Sequence, residues 1–357
     1  MAKLTDLVAG IEKKAETEGS FGGDYTPIER VPTGIFPLDL AIGGGIPRGR
    51  ITEIYGAEGS CKTNVAMLTI AQNQILHPEQ KNAFIDMEGT WDPHWAKRLG
   101  VNTENVYVIR PDYAEQVADV MNDLLDAEDL GVCVLDSLAA MGTIKEIDDD
   151  MDKQQMAESA RIIGRMTRKV IVKMKRKHEA GHAHCAVIWI NQIRSKVGFV
   201  MGNPETTPGG NMPKFAYSLR LRLYGKPVID AKVSKAMPIA REVTLGVPKY
   251  KVGITAINAE FTLMMMEHSG FRAGECDDWN LAEALLREEG VLTEPKKGKG
   301  WVMFGETYPT LKACKEKYRA DAAFRLKVQK DAIGRALAAN GVLAIDPETG
   351  EVNAPGV

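Results

Sequence analysis

The sequence predicts an α/β protein whose core is a mostly parallel sheet covered by helices on both faces. Three observations carry that expectation. Short apolar runs at 50–55, 83–86, 106–109, 132–135 and 186–190 alternate with helical stretches, as strands buried on both faces do. Polar residues close several of those runs: Asp86 and Glu88, Asp136 and Ser137, Asn191 and Gln192. In such sheets ligands gather at the carboxyl ends of the strands. Between the first run and a helical segment stands Gly56-Ala57-Glu58-Gly59-Ser60-Cys61-Lys62-Thr63, continued by Asn64. Strand, tight glycine loop and helix together form the layout of a phosphate-binding loop.

The chain of 357 residues is long enough for one large core and a smaller domain. Its net charge of −3 means that any nucleic-acid binding must come from local basic surfaces rather than the overall field. Cysteines 61, 133, 185, 276 and 314 are odd in number and scattered, which favours a reducing compartment over a disulfide framework. The first residues lack the apolar centre of a signal peptide, and no uncharged run is long enough to span a bilayer. A cytoplasmic, non-membrane protein is expected.

In chain order, Leu4, Leu7, Val8 and Ile11 make an amphipathic stripe that cannot bury itself. A Gly-rich linker at 19–26 follows, so residues 1–32 read as an arm that docks on a neighbouring subunit. In the phosphate loop Lys62 serves as a point charge on the β- and γ-phosphates, and Thr63 offers its hydroxyl to Mg²⁺. Cys61 occupies the place of the second loop glycine. Beside Lys62 at a helix N-terminus its thiol pKa is expected to fall, and oxidation there would then block ATP binding; the alternative, which is the favoured one, is an inert small filler.

Each polar strand end has a bland alternative as a helix cap, but their convergence on a phosphate loop favours catalysis. Asp136 is then a Mg²⁺ carboxylate with Ser137 assisting. Glu88 orients and activates the attacking water, and Gln192 senses the γ-phosphate and reports to the loop behind it. That loop, 193–211, combines Arg194 and Lys196 with the apolar Phe199, Val200 and Met201 and several glycines. Cations for phosphates and apolar wedges for bases suit nucleic acid. Residues 141–156 form a second irregular stretch whose acids (Glu146, Asp148, Asp149, Asp150, Asp152) read as a solvated loop. In the basic helix behind it, Arg161 lies nearest the loop and is the expected DNA contact. His178, His182, His184 and Cys185 resemble zinc ligands, but their spacing straddles a helix end and a strand start, which argues against a metal. Residues 268–357 read as a small α+β region, with helices at 281–286 and 332–339, a strand at 301–304 and a lysine-bearing turn at 296–299.

These residues resemble a known family. The runs Leu38-Asp39 to Gly45, Gly49-Arg50-Ile51 to Gly56, Ala83-Phe84-Ile85-Asp86-Met87-Glu88, and above all Ile190-Asn191-Gln192-Ile193-Arg194 through Gly202-Asn203-Pro204-Glu205-Thr206-Thr207 to Gly209-Gly210-Asn211, are similar to those of RecA-type strand-exchange recombinases. The resemblance runs from about residue 32 to residue 266 and more weakly beyond. It implies a RecA-like P-loop ATPase core at 33–267 and a C-terminal domain at 268–357 that helps capture duplex DNA. By implication the protein is a DNA-dependent ATPase using ATP and Mg²⁺. It forms a homo-oligomeric helical filament on single-stranded DNA and exchanges strands with homologous double-stranded DNA. Single-strand-binding and loader proteins are the further partners it suggests.

By position Glu88 matches the catalytic glutamate and Gln192 the γ-phosphate switch. The stretches 141–156 and 193–211 match the two DNA-binding loops. Lys249 and Lys251 match a pair that reaches the neighbour's ATP, while Asp92 and Trp95 fall near adenine, Trp95 replacing a tyrosine. Cys61 in place of the loop glycine is a departure shared with some phage-borne members and points to a divergent or phage-borne source. Gly89 where histidine is common and Met201 where phenylalanine is frequent are further departures, and the lack of a strongly acidic tail puts tail-based regulation in doubt. Two rivals share the core. A ring helicase is disfavoured by the 193–211 loop, and a non-catalytic, ATP-gated filament would only coat DNA.

Overall fold

The computed structural model describes residues 28–148, 156–179, 185–195, 205–233, 237–252, 258–268, 270–288, 290–294 and 300–339. Residues 1–27 of the expected N-terminal arm, the lysines at 296–299, His182 and His184 lie outside these.

A nine-stranded sheet organises the chain. Its strands are β1 (Ile51–Gly56), β2 (Lys81–Asp86), β3 (Val106–Ile109), β4 (Leu130–Asp136), β5 (Ala186–Gln192), β6 (Leu219–Val228), β7 (Ala240–Tyr250), β8 (Ala259–Met264) and β9 (Cys276–Asp277). Their order is β9-β8-β7-β6-β1-β5-β4-β2-β3. From β6 to β3 all pairings are parallel; β6-β7, β7-β8 and β8-β9 are antiparallel. The mostly parallel α/β core is therefore as expected, with every anticipated strand in place.

Alternation along the central strands explains why they are apolar throughout. Phe84, Val132, Val134, Ile188 and Ile190 face one core cluster; Ala83, Ile85, Cys133, Leu135, Val187 and Trp189 face the other. Helix α1 (Lys62–Leu76) covers the first face with Val65, Met67, Leu68 and Ile70. Helices α2 (Ala114–Leu124) and α3 (Met156–Glu179) cover the second with Val117, Met121, Ile163, Met166 and Val170. Helical spacing places the residues of α2 and α3 on one stripe of each helix, whereas α1 is buried all round from Val65 to Ala71. Residues burying both faces of a strand need no polar side, which is why β4 is buried along its whole length.

The described part of the 141–156 stretch, residues 141–148, is more ordered than a solvated acidic loop. A short helix runs over Ile144–Asp148. Glu146 accepts a hydrogen bond from the Thr143 backbone N–H (2.8 Å), and the Glu146 N–H donates to the Thr143 hydroxyl (3.2 Å). That reciprocal cap gives the acid a local role that a charge run conceals. Asp149, Asp150 and Asp152 lie outside the described residues.

Beyond β9, helices Trp279–Glu288 and Leu311–Ala320 pack with a three-stranded sheet (Leu292–Thr293, Trp301–Met303, Glu306–Tyr308) around Trp279, Met303 and Tyr318. The last helix, Ala322–Ala339, lays Ala332 and Ile333 against Phe36. No helix among the described residues is long and apolar enough to cross a membrane.

Candidate functional site

Sheet register assembles the site. β1 and β5 pair with Gly56 opposite Gln192, and β2 and β4 pair with Asp86 opposite Asp136. Four adjacent parallel strands thus end together, and the loops carrying Lys62, Glu88, Ser137 and Gln192 leave from one edge.

The phosphate loop closes into α1 at Lys62. Lys62 Nζ donates to the carbonyls of Gly56 (3.1 Å) and Ala57 (2.8 Å). Burial pulls its pKa below the usual lysine range, opposed by the carboxylates of Asp136 and Glu88. The Thr63 hydroxyl donates to Asp136 Oδ2 at 2.7 Å. Burial pushes Asp136 up to about 6, against the stabilising Thr63 bond. A hydroxyl and a buried carboxylate side by side form a hard-oxygen pair that fits Mg²⁺. Ser60 is buried, its hydroxyl donating to the Ala57 carbonyl at 2.7 Å, while Ala57 and Glu58 are exposed.

Cys61 takes the form of the inert filler rather than of a reactive thiolate. Its backbone is left-handed, with φ of 68°, a conformation in which a side chain costs about 1–2 kcal/mol. The side chain is buried in the core cluster beneath the loop. Burial pushes the thiol up to about 11, outweighing the opposite pull of Arg241 and Lys62. The predicted low pKa is thus corrected: the neighbouring charges are present, but the sulfur faces apolar core rather than water.

Glu88 is exposed, and its Oε1 accepts from Ser137 and from Gln192 Nε2 (2.9 Å). Asp86, buried, accepts from the N–H groups of Thr90 (3.0 Å) and Trp91 (3.1 Å) and lies 3.4 Å from Arg110. It shapes the turn that presents Glu88. Asp92 caps the short helix Pro93–Arg98 by accepting from the His94 and Trp95 N–H groups, a role the resemblance did not imply. Trp95 Nε1 then donates to Asn64 Oδ1 (3.2 Å), whose Nδ2 meets Met265 Sδ at 3.8 Å. Met265 was missed, because nothing sets it apart within its apolar run.

The stem of the 193–211 loop is a small ribbon, Arg194–Ser195 paired with Glu205–Thr206. Arg222 grips Glu205 through two bonds of 2.7 and 2.8 Å, and this holds the Glu205 carboxyl below its usual range. Asn191 Nδ2 donates to Glu53 (3.0 Å) and to the Pro208 carbonyl (3.1 Å). Glu53, fully buried in β1, pairs with Arg220. A buried acid mid-strand needs such a partner, a signal the sequence carried unread. Gly209 and Gly210 come against Ile163 and Ala160 of α3, which brings the loop's return beside the helix carrying exposed Arg161. Exposed Asn211 opens the helix Asn211–Ala216. Lys196, Phe199, Val200, Met201, Gly202 and Asn203 lie outside the described residues.

Within one chain, Lys249 and Lys251 do not join this site. Lys249 Nζ donates to the carbonyls of Lys214 and Phe215 (3.0 Å to the latter), and Lys251 Nζ to that of Phe215 (3.1 Å). The carboxyl end of a helix attracts cations. Burial and the neighbouring Lys251 charge lower Lys249 to about 8. Among the described residues no group of three or more His, Cys, Asp or Glu side chains could hold a metal ion.

A family model, the RecA N-terminal domain, matches residues 5–270. The chain is 37% identical to Protein RecA of Aquifex aeolicus over 280 residues, covering 78% of this chain and 75% of that one. It is 38% identical to Protein RecA of Allochromatium vinosum over 291 residues, covering 81% and 80%. Against Protein RecA of a Methylobacterium species it is 36% identical over 299 residues, covering 81% and 78%.

Proposed function

The chain belongs to the RecA family of recombinases, and from that premise we propose that it is an ATP-dependent recombinase that polymerises on single-stranded DNA. It would pair that strand with homologous duplex and exchange the two, with DNA-stimulated ATP hydrolysis. The observation that carries this reading is the meeting of Lys62, the Thr63–Asp136 pair and the Ser137–Glu88–Gln192 cluster at one sheet edge, with Gln192 leading directly into the 193–211 ribbon.

The roles follow from chemistry. Backbone N–H groups of residues 56–64 and Lys62 hold the triphosphate. Thr63 and Asp136 hold Mg²⁺, which supplies charge neutralisation on the phosphates when bound. Asp92 and Trp95 flank the base. Glu88 takes the proton of the attacking water as the bond to the leaving diphosphate breaks. Gln192 exchanges its bond to Glu88 for one to the γ-phosphate, and this biases the DNA loop. Arg161, Arg194, Lys196, Phe199, Val200, Met201, Gly202, Asn203, Gly209, Gly210 and Asn211 grip the strand. Lys249 and Lys251 act across the protomer interface, as a trans cation does in other phosphoryl-transfer enzymes. Residues 1–32 dock the neighbouring protomer, 33–267 are the ATPase core and 268–357 capture duplex. The working compartment is the cytoplasm, with loader and single-strand-binding proteins as partners.

ATP turnover with and without single-stranded DNA tests this, followed by strand exchange between homologous DNAs. Wild type should be DNA-stimulated, Lys62→Ala should lose nucleotide binding, and Glu88→Gln should lose on the order of 100-fold in turnover while keeping ATP-dependent DNA binding. Turnover indifferent to DNA would contradict the proposal. Unwinding without exchange would favour the helicase, and ATP-gated DNA binding without hydrolysis or exchange the passive filament.

A further inference from the structure

The phosphate loop is pressed from outside by the β6–β7 hairpin. At Gly225 in β6, a Cβ would stand 2.9 Å from the Gly59 carbonyl oxygen and 2.9 Å from Ser60 Cα. Only a glycine permits that approach. On β7, opposite Pro227, stands Arg241. A Cβ on Gly59, whose φ is +68°, would meet Arg241 Nη1 at 2.9 Å, Cζ at 3.1 Å and Nη2 at 3.1 Å. Three near-equal distances mean that a face of the guanidinium is turned to the side-chain position of Gly59, which only a glycine leaves free. Its charge reaches Cys61 two residues on.

Among the described residues, the Arg241 side chain makes no hydrogen bond or ion pair. An unpaired, half-buried guanidinium with five donors is poised for an anion. Its position says which one. Arg241 pairs across β7-β8 with Leu263. Two residues on, the Met265 N–H donates to the Ile239 carbonyl (2.9 Å) and the Met265 sulfur meets Asn64, the partner of Trp95. Arg241 therefore stands between the phosphate loop and the Trp95–Asn64–Met265 group, on the side where phosphates nearest the base would run.

We infer that Arg241 is a nucleotide-binding residue of the same chain, clamping the inner phosphates of a nucleoside di- or triphosphate through its guanidinium. This rests on the nucleotide reading above and deepens it. Unlike Gln192, Lys249 and Lys251, such a clamp does not distinguish ADP from ATP, so it contributes uniform binding and no rate.

Calorimetric titration of wild type, Arg241→Ala and Arg241→Gln with Mg-ADP and with a Mg-bound non-hydrolysable ATP analogue tests it; Arg241→Gln preserves most of the contact with Gly59. Both variants should lose about tenfold in affinity for both nucleotides alike, and KM for ATP should rise with kcat unchanged. Wild-type affinity for ADP in the folded variants would overturn the inference, as would a loss confined to kcat. If wild type itself bound neither nucleotide, the nucleotide reading would fall first and Arg241 with it.

Discussion

Lys249 is a cation of the proposed site whose charge depends on solution pH. Burial and Lys251 hold it near 8 against the ordinary 10.5, so its ammonium is lost as pH rises through about 8. Over the interval above that, the unfolded chain still binds the proton and the folded chain does not, so fold stability rises with pH. A decline in DNA-stimulated ATP turnover above pH 8, with no drop in melting temperature, is therefore expected, and Lys249→Arg should move the decline to higher pH. Cys61 shows why one residue can be misread. Lys62 and a helix N-terminus were visible and argue for a reactive thiolate; burial, visible only once the chain folds, outweighs both. Iodoacetamide at neutral pH should leave Cys61 unlabelled in native protein and label it in denatured protein. Peroxide should inactivate wild type no faster than Cys61→Ser.

At the scale of elements, the proposed function makes the ribbon under the 193–211 loop the link between nucleotide and DNA. Gln192 and Asn191 end β5, Asn191 reaches Pro208 on the returning strand, and Arg222 clasps Glu205. Arg222→Ala should loosen that stem without touching the phosphate loop. Single-strand affinity is expected to fall on the order of fivefold, the usual range for a partly exposed ion pair. DNA-independent turnover should be unchanged; an equal loss in both would mean that Arg222 supports the fold instead. Strands β2 to β5 were legible because each holds a short continuous apolar run bounded by turn signals, and β1 because its alternating run leads into the glycine loop. β6 and β7 were not, since Leu219-Arg220-Leu221-Arg222-Leu223 spends alternate positions on cations whose partners, Glu53 and Glu205, lie far along the chain. The site residues at strand ends were legible for the same reason as the strands. Asn64, Trp95 and Met265 meet only through folding, so their contact left no spacing to read.

At the scale of the whole molecule, the chain is incomplete as a catalyst on the proposed reading. Glu88 and Gln192 sit at one sheet edge, whereas Lys249 and Lys251 bond to the carboxyl end of the helix Asn211–Ala216. A head-to-tail interface repeated along DNA would bring one protomer's lysines to the next protomer's phosphate loop and would build a filament rather than a closed dimer. The most direct measurement mixes two variants that are each inactive alone: Glu88→Gln, which keeps the lysines, and the double change Lys249→Ala, Lys251→Ala, which keeps the glutamate. In random co-assembly about a quarter of the interfaces would pair an intact glutamate with intact lysines. ATP turnover on single-stranded DNA should then recover to about a quarter of wild type at equal mixing. No recovery in mixtures shown to co-assemble would contradict a nucleotide site shared between protomers.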